Sequence, residues 1–252
     1  MNIRDILDSL KKGEMSTEEA EKALRLDYVD KINDHTVFDR GRRIRKDIPE
    51  VVYARSKAPK MVADIAKRVP KDGYLLISRA SREHYDAIVK EPSDNEVTYH
   101  EDASAISVGK IRAERKGIIG ILTAGSSDIQ VAEEAKLMAE AMGCRCMTSY
   151  DVGVAGMHRI LEPMREMLDN GVDAIIVVAG MEGALPSLVA SLAYVPVIGV
   201  PASTGYGYGG NGEAALMSML QTCSPGLAVV NIDNGIGAGS MAAMISKRRH
   251  EK

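Results

Sequence analysis

The sequence predicts an α/β protein whose C-terminal part is a doubly wound parallel sheet, with a smaller N-terminal α/β lobe before it. Three observations support this fold class. Apolar strand-like and helix-like segments alternate from residue 117 onward, the strand-like segments are continuous apolar runs such as AIIVV and PVIGV, and a glycine-rich segment follows each of them. Continuous apolar runs are typical of parallel strands that are covered on both faces.

In the C-terminal part the pattern predicts five strands and five helices, which together have the size of a flavodoxin-like domain. The strands are predicted at 118–123, 145–150, 174–179, 197–200 and 228–232. The helices are predicted at 129–142, 158–170, 185–193, 212–223 and 240–248. Ligands of such sheets bind beyond the carboxyl ends of the strands, so the glycine-rich segments at those ends are expected to form the site.

The N-terminal part has a different composition. A helical hairpin is predicted within 1–25, then strands at 51–54, 74–78, 97–99 and 105–108 and helices at 58–68 and 81–89. Of the 32 Lys and Arg residues, 24 lie within 1–116, whereas 19 of the 23 glycines lie from residue 117 onward. This shift predicts two domains, 1–116 and 117–252.

The composition argues against several partners and compartments. A net charge of −3, no Trp and one Phe give no footprint for nucleic acid. No apolar run reaches the roughly 18 residues of a membrane span, and MNIRDILDSL has no signal-peptide core, so no membrane association is expected. Three cysteines without an export signal favour the reducing cytoplasm.

The first predicted strand runs into the turn Gly125, Ser126, Ser127 and Asp128, which opens a helix. Backbone N–H groups and hydroxyls at a positive helix N-terminus form an anion site, although Asp128 could equally be only a helix cap. His158 begins the next helix with Arg159 beside it, either as a surface pair or as cations that face a bound anion.

Three further groups could carry chemistry. Glu182 and Gly183 follow the third strand, where Glu182 is either a surface carboxylate or an acid/base or metal-binding group. Cys223 ends the fourth helix and is either an inert small side chain or a nucleophile whose pKa a nearby cation lowers. The basic stretch 36–50 is either a solvated face or an anion clamp; it includes Arg40, Arg43 and Arg45.

The C-terminal motifs GSSD, HR, AGMEGALP and VPVIGVPAS, in that order, resemble phosphoribosylaminoimidazole carboxylase and its carboxyaminoimidazole mutase form. The sequence departs from those purine enzymes in four features, and all four resemble a second family built on the same domain. They are the AGSSD turn, Glu182, Cys223 and an N-terminal region with FDRGRRIRKDIPEVVYA. That family is pyridinium-3,5-biscarboxylic acid mononucleotide synthase, also called LarB, which acts in nickel-pincer cofactor biosynthesis for lactate racemase.

The second resemblance implies a reaction, a set of partners and a set of roles. The substrate would be nicotinic acid adenine dinucleotide, carboxylated at C5 with CO2 and hydrolysed to release AMP, in a homo-octamer that uses Mg2+ and no biotin. Cys223 would add to the ring, Glu182 would act as acid/base group or orient the cysteine, and His158 would be the third catalytic residue. The phosphate would be held by the turn residues Gly125, Ser126, Ser127 and Asp128, and Asp128 is also a possible Mg2+ ligand. The ring carboxylate or CO2 would be held by His158, Arg159 and Gly183. The adenylate side would be reached by Arg40, Arg43 and Arg45.

Two other functions remain open at this point. The protein could be the purine-pathway carboxylase or mutase itself, which needs no nucleophilic cysteine because aminoimidazole is electron-rich. It could also be a nucleotide-binding regulatory domain without catalysis, with an unreactive Cys223.

Overall fold

The computed structural model describes residues 3–24, 29–33, 36–39, 48–71, 73–111 and 116–250. The predicted basic residues Arg40, Arg43 and Arg45 lie outside these ranges. The chain divides into two compact units, one formed by 1–100 with 105–110 and the other by 101–104 with 111–252. The domain boundary predicted at residue 116 lies close to this division.

The N-terminal unit begins with two short helices and a hairpin. The helices are α1 (Ile3–Lys11) and α2 (Thr17–Leu24), and the antiparallel strands are β1 (Val29–Asn33) and β2 (Thr36–Asp39). At the start of α2 a reciprocal cap satisfies two backbone N–H groups, because Glu19 N donates to Ser16 Oγ and Ser16 N donates to Glu19 Oε2. The two helices match the hairpin predicted within 1–25, whereas the strands β1 and β2 were not predicted.

A four-stranded sheet in the order β3-β4-β6-β5 forms the rest of this unit. Its elements are β3 (Glu50–Tyr53), α3 (Pro59–Ala66), β4 (Tyr74–Ser78), α4 (Arg82–Val89), β5 (Val97–His100) and β6 (Ala105–Gly109). Strands β3 and β4 are parallel, and β6 pairs antiparallel with both β4 and β5. Apolar residues of β3, β4, β6 and the two helices form one core, which gives this lobe its own hydrophobic interior.

The C-terminal unit is a five-stranded, wholly parallel sheet in the order β11-β10-β9-β7-β8. Its strands are β7 (Ile118–Thr123), β8 (Arg145–Ser149), β9 (Ala174–Ala179), β10 (Val197–Pro201) and β11 (Leu227–Val229). Its helices are α5 (Ile129–Ala141), α6 (His158–Asp169), α7 (Leu185–Leu192), α8 (Glu213–Leu220) and α9 (Gly235–His250). This is the flavodoxin-like strand order, which confirms the predicted fold class.

Strand order places the expected ligand site. The chain passes from the centre of the sheet outward in one direction through β8, and in the other through β9, β10 and β11. The order therefore reverses between β7 and β9, and in open parallel sheets the crevice at such a reversal is where ligands bind. All six residues of β9 are buried, so this strand forms the centre of the core.

Three C-terminal elements differ from their predictions by more than one residue. The fourth helix ends at Leu220 rather than at Cys223, and the last strand covers 227–229 rather than 228–232. The last helix begins at Gly235, five residues before the predicted start at 240, because the glycines of GIGAG form the first turns of the helix rather than a loop. A Cβ atom at Gly239 would lie 2.3 Å from the carbonyl oxygen of Ala135 in α5, and one at Gly235 would lie 2.4 Å from that of Val131. These glycines are therefore required where α9 packs directly on the α5 backbone.

Candidate functional site

A cleft of the C-terminal unit lies at the carboxyl ends of β7, β8, β9 and β10, around the reversal of strand order. Its volume is about 310 Å³, at the lower end of the range for small-molecule sites. The lining residues come from four loops; they are Ala124, Gly125, Ser127, Asp128, Asp151, Gly153, Val154, Ala155, Arg159, Ala179, Gly180, Met181, Glu182, Ala184, Leu185, Thr204, Gly205 and Tyr206. The predicted location of the site at this edge of the sheet agrees with the cleft.

The turn after β7 is held in place by Asp128. Its side chain is only 3% exposed, and both of its carboxylate oxygens accept hydrogen bonds: Oδ2 from the Gly125 N–H at 2.9 Å and Oδ1 from the Thr204 hydroxyl at 2.7 Å. Ser126 and Ser127 are exposed, and Ser127 lines the cleft. Asp128 thus ties the turn to the loop after β10, while the neighbouring serine and the start of α5 face the cleft as a site for an anion.

Arg159 lines the cleft from the first turn of α6. Its Nη1 donates to Asp151 Oδ2 at 2.9 Å, and Asp151 N donates to the Thr123 hydroxyl at 3.0 Å. Asp151 has a φ of +57°, an unfavourable backbone conformation that these bonds stabilise. His158 is exposed and does not line the cleft, so of the predicted cationic pair only Arg159 is placed there.

Glu182 stands in a tight turn after β9. Gly183 N donates to Gly180 O at 2.9 Å, and Met181 and Gly183 both have positive φ values, +46° and +62°. A Cβ atom at Gly183 would lie 2.7 Å from the Cα of Ala215 in α8, so only glycine allows the turn to pack there. Glu182 is exposed at the cleft wall, where the carboxylate can exchange protons with a bound ligand.

The segment after β10 supplies two lining residues that sequence reasoning missed, Thr204 and Tyr206. The glycine-rich pattern ASTGYGYGGNG marked the segment as a site loop, but nothing in it distinguished these side chains from ordinary turn residues. Thr204 is identified only by its hydrogen bond to Asp128, a residue 76 positions earlier in the chain. Tyr206 is identified by its position on the cleft wall.

Cys223 is exposed and lies between α8 and β11, away from the cleft. Gly226, three residues later, accepts a hydrogen bond from the N–H of Val197, the first residue of β10, so this segment lies at the amino ends of the strands. Helix α8 begins beside the Glu182 turn and runs about 12 Å to the other edge of the sheet. Within one chain the structure therefore does not bring Cys223 and Glu182 together.

The other two cysteines are not reactive candidates. Burial raises the pKa of the Cys144 thiol, and burial together with the nearby Glu140 carboxylate raises that of Cys146. A raised pKa keeps a thiol protonated near neutral pH and hence a poor nucleophile.

No group of three or more metal-ligating side chains occurs within the described ranges. Asp128, the predicted Mg2+ ligand, uses both oxygens to hold the turn, so its geometry does not fit a dedicated metal site. The requirement for Mg2+ stays a prediction.

The charge of the cleft favours a cationic ligand group. Among the described residues, three carboxylates line it, those of Asp128, Asp151 and Glu182, against one guanidinium, that of Arg159, so the formal charges of this lining sum to −2. In a recess partly shielded from water, such a charge attracts a cation more strongly than it would on an open surface.

Comparisons with known proteins divide the chain in the same place. Residues 118–252 match the family model described as AIR carboxylase, and residues 30–110 match the one described as LarB/PurE-like N-terminal domain. No helix in the described part of the chain combines the length and apolarity of a membrane crossing.

Relatives fall into two groups. An uncharacterized protein of Methanocaldococcus jannaschii is 43% identical over 99% of both chains. The N5-carboxyaminoimidazole ribonucleotide mutase of Thermotoga maritima is 35% identical over 50% of this chain and 73% of its own length. The mutase of the same name from M. jannaschii is 34% identical over 53% of this chain and 82% of its own.

Proposed function

This chain belongs to the AIR carboxylase family, and from that premise we propose that it carboxylates the pyridinium ring of nicotinic acid adenine dinucleotide at C5. CO2 is the carboxyl donor, and water cleaves the phosphoanhydride to release AMP. The products are AMP and pyridinium-3,5-biscarboxylic acid mononucleotide, the precursor of a nickel-pincer cofactor. Membership of a family whose named relatives are mutases and carboxylases rests on the comparisons alone.

The observation that carries the finer proposal is the N-terminal match. Residues 30–110 fit a model described as LarB/PurE-like, whereas the mutases align with only about half of this chain. A second, independent support is the formal charge of −2 in the cleft, which suits a cationic pyridinium ring better than a neutral aminoimidazole.

Four of the residues that line the cleft have a role in this reaction. The turn at Ser127 and the positive start of α5 bind the mononucleotide phosphate, and Asp128 fixes that turn. Arg159 binds the ring carboxylate or the incoming CO2. Glu182 removes the C5 proton after carboxylation. The cleft volume suits a mononucleotide better than a whole dinucleotide, so the adenylate half extends beyond it.

Carboxylation also needs a nucleophile, because the electron-poor ring cannot attack CO2 through C5. A thiolate adds to C6, the displaced π electrons make C5 nucleophilic, and C5 forms a bond to the carbon of CO2. Loss of the C5 proton to Glu182 then expels the thiolate and restores the aromatic ring. Cys223 is the exposed thiol in the described chain, but it lies at the opposite edge of its own sheet. We therefore assign this step to Cys223 of a neighbouring copy in a homo-oligomer.

The second candidate is the purine-pathway activity. Its support is the similarity of the C-terminal unit to N5-carboxyaminoimidazole ribonucleotide mutases. It requires neither a thiol nor a cationic ring, so under this alternative Cys223→Ala retains full activity on an aminoimidazole ribotide.

A mass-spectrometric assay separates the two. The protein is incubated with nicotinic acid adenine dinucleotide, ¹³C-bicarbonate and Mg2+, with Cys223→Ala and Glu182→Gln in parallel. We expect AMP and a ¹³C-labelled dicarboxylated mononucleotide from the wild type, and no labelled product from either variant. AMP without ¹³C incorporation would reduce the activity to hydrolysis, and turnover of aminoimidazole ribotide alone would support the purine enzyme.

A further inference from the structure

The loop between β10 and α8 projects an aromatic side chain at the cleft. Tyr206 lines the cleft and is 79% exposed, so nearly all of its ring is available for contact. Among the described residues, no hydrogen bond engages its hydroxyl group, and the side chain forms no part of either hydrophobic core. Its ring therefore has no structural partner within the described chain.

The backbone on both sides of Tyr206 is fixed. On one side, Thr204 is bonded to Asp128, and a Cβ atom at Gly205 would lie 2.6 Å from the backbone nitrogen of Met181, so the loop touches the end of β9. On the other side, Gly207 has a φ of +85°, and the Asn211 N–H donates to Gly205 O. A ring on such a short, closed loop is held at the cleft rather than carried by a flexible tail.

The surroundings of Tyr206 are acidic. Glu182 and Asp151 lie on the same cleft, whose formal charge is −2. A flat ring above a negatively charged recess binds a planar cation by two effects that add: attraction to the carboxylates and attraction to the electron-rich ring face. An anionic or neutral heterocycle gains neither.

We propose that Tyr206 stacks on one face of the substrate's pyridinium ring and selects a cationic ring over a neutral one. This inference rests on the proposed function. Stacking covers one face of the ring, so the thiolate adds to C6 from the opposite face while C5 stays open to CO2. Tyr206 is thus a positioning and specificity residue that takes no part in proton or group transfer.

The test compares two ligands that differ in ring charge. Nicotinic acid mononucleotide has a cationic ring, and its dihydro form, obtained by reduction, keeps the phosphate, ribose and carboxylate but has a neutral ring. Dissociation constants for both are measured by calorimetry with the wild type, Tyr206→Leu, Tyr206→Phe and Tyr208→Leu. Tyr208 is the matched control, because it lies two residues along the same loop, is fully exposed and does not line the cleft.

We expect Tyr206→Leu to bind the cationic nucleotide roughly 5- to 30-fold more weakly, the range of a partly desolvated cation–π contact. Its affinity for the dihydro form should change much less, Tyr206→Phe should bind like the wild type, and Tyr208→Leu should be unaffected. Equal losses for both ligands, or equal behaviour of Tyr206→Leu and Tyr208→Leu, would overturn the stacking role while leaving the proposed function intact. A wild type that binds neither nucleotide would instead overturn the proposed function and this inference with it.

Discussion

Asp128 shows how a residue's structural role can be separated from a role in chemistry. A carboxylate beside two serines at a helix start resembles part of a ligand site, and the sequence alone could not distinguish a ligand from a cap. In the structure each of its oxygens accepts one hydrogen bond, from Gly125 N and from the Thr204 hydroxyl. The carboxylate joins two loops that line the cleft, and under the proposed function it shapes the phosphate site without touching the phosphate.

Replacing Asp128 by alanine should therefore affect both stability and binding. The change leaves the Gly125 N–H and the Thr204 hydroxyl without their acceptor, and such losses cost about 1–3 kcal/mol when buried. We expect the free energy of unfolding to fall by that amount in denaturant titrations, and nicotinic acid mononucleotide to bind more weakly. Ser126→Ala, at an exposed neighbour, is the control and should keep wild-type stability. An unchanged unfolding free energy for Asp128→Ala would contradict the proposed tie.

The three cysteines differ in environment, which gives a second prediction. Cys223 is exposed, whereas burial raises the thiol pKa of Cys144 and Cys146 above its usual value. At pH 7–8.5 the buried Cys144 and the half-buried Cys146 stay protonated, so they react slowly, and their reactivity should rise only at higher pH. A disulfide-exchange reagent should thus label one thiol quickly in the native protein. The fast phase should vanish in Cys223→Ser; its persistence there would show that a buried thiol is accessible.

At the scale of single residues, the sequence identified those whose type is unusual in its context and missed those that are ordinary. Glu182 and Arg159 stand out among glycines and alanines, and both line the cleft. Thr204 and Tyr206 are common turn residues, and their significance depends on neighbours far along the chain. Cys223 was identified from its type and family resemblance, but a cysteine carries no sequence signal for the edge of the sheet at which it lies.

Among the secondary-structure elements, those of the C-terminal sheet were predicted closely because β7, β9 and β10 are largely continuous apolar runs. Strands β7 and β9 have the predicted bounds. The last helix was predicted too short, since glycine is the least favourable residue for a helix interior apart from proline and GIGAG therefore resembles a loop. The glycines occur there because α9 crosses α5 at backbone contact, which is a tertiary requirement that local propensity does not contain.

This crossing makes a quantitative prediction for Gly239→Ala. Helix propensity alone favours alanine over glycine by about 1 kcal/mol. Against this, the new Cβ would lie 2.3 Å from Ala135 O, a backbone atom that cannot move aside, and overpacking of this kind costs about 1–3 kcal/mol or more. We expect net destabilisation, measured as a lower midpoint of thermal unfolding. Met241→Ala, an exposed position on the same helix, should change the midpoint little. A midpoint raised by Gly239→Ala would mean that propensity outweighs the clash and that the two helices are not in backbone contact.

For the whole molecule, the composition predicted the two-part organisation, but it did not predict whether one chain holds both Cys223 and Glu182 in one site. The shift in glycine and basic residues near residue 116 agrees with the two compact units and with the two family models. A sequence describes one chain, and the resemblance placed Cys223 and Glu182 in one active site. In one chain the parallel sheet separates them, because α8 leads from the carboxyl edge to the amino edge.

The proposed mechanism requires an assembly that joins these two residues, and mixed oligomers test this requirement directly. Cys223→Ser and Glu182→Gln chains, each inactive in carboxylation alone, are co-expressed with different tags and the mixed oligomers are isolated. If the thiol comes from a neighbouring copy, some clefts combine an intact Glu182 with an intact Cys223 from the other chain, and ¹³C incorporation returns to a fraction of the wild-type rate.

The matched control pairs Asp128→Ala with Glu182→Gln. Both residues line the cleft of one chain, so no mixed oligomer contains an intact cleft, and ¹³C incorporation should not exceed the residual activity of Asp128→Ala alone. Failure of the Cys223→Ser and Glu182→Gln pair to regain activity, in oligomers shown to contain both tags, would place the nucleophile and the acid/base group in the same chain. That result would require Cys223 to reach its own cleft across the sheet, which the course of α8 opposes, and so would remove Cys223 from the proposed mechanism.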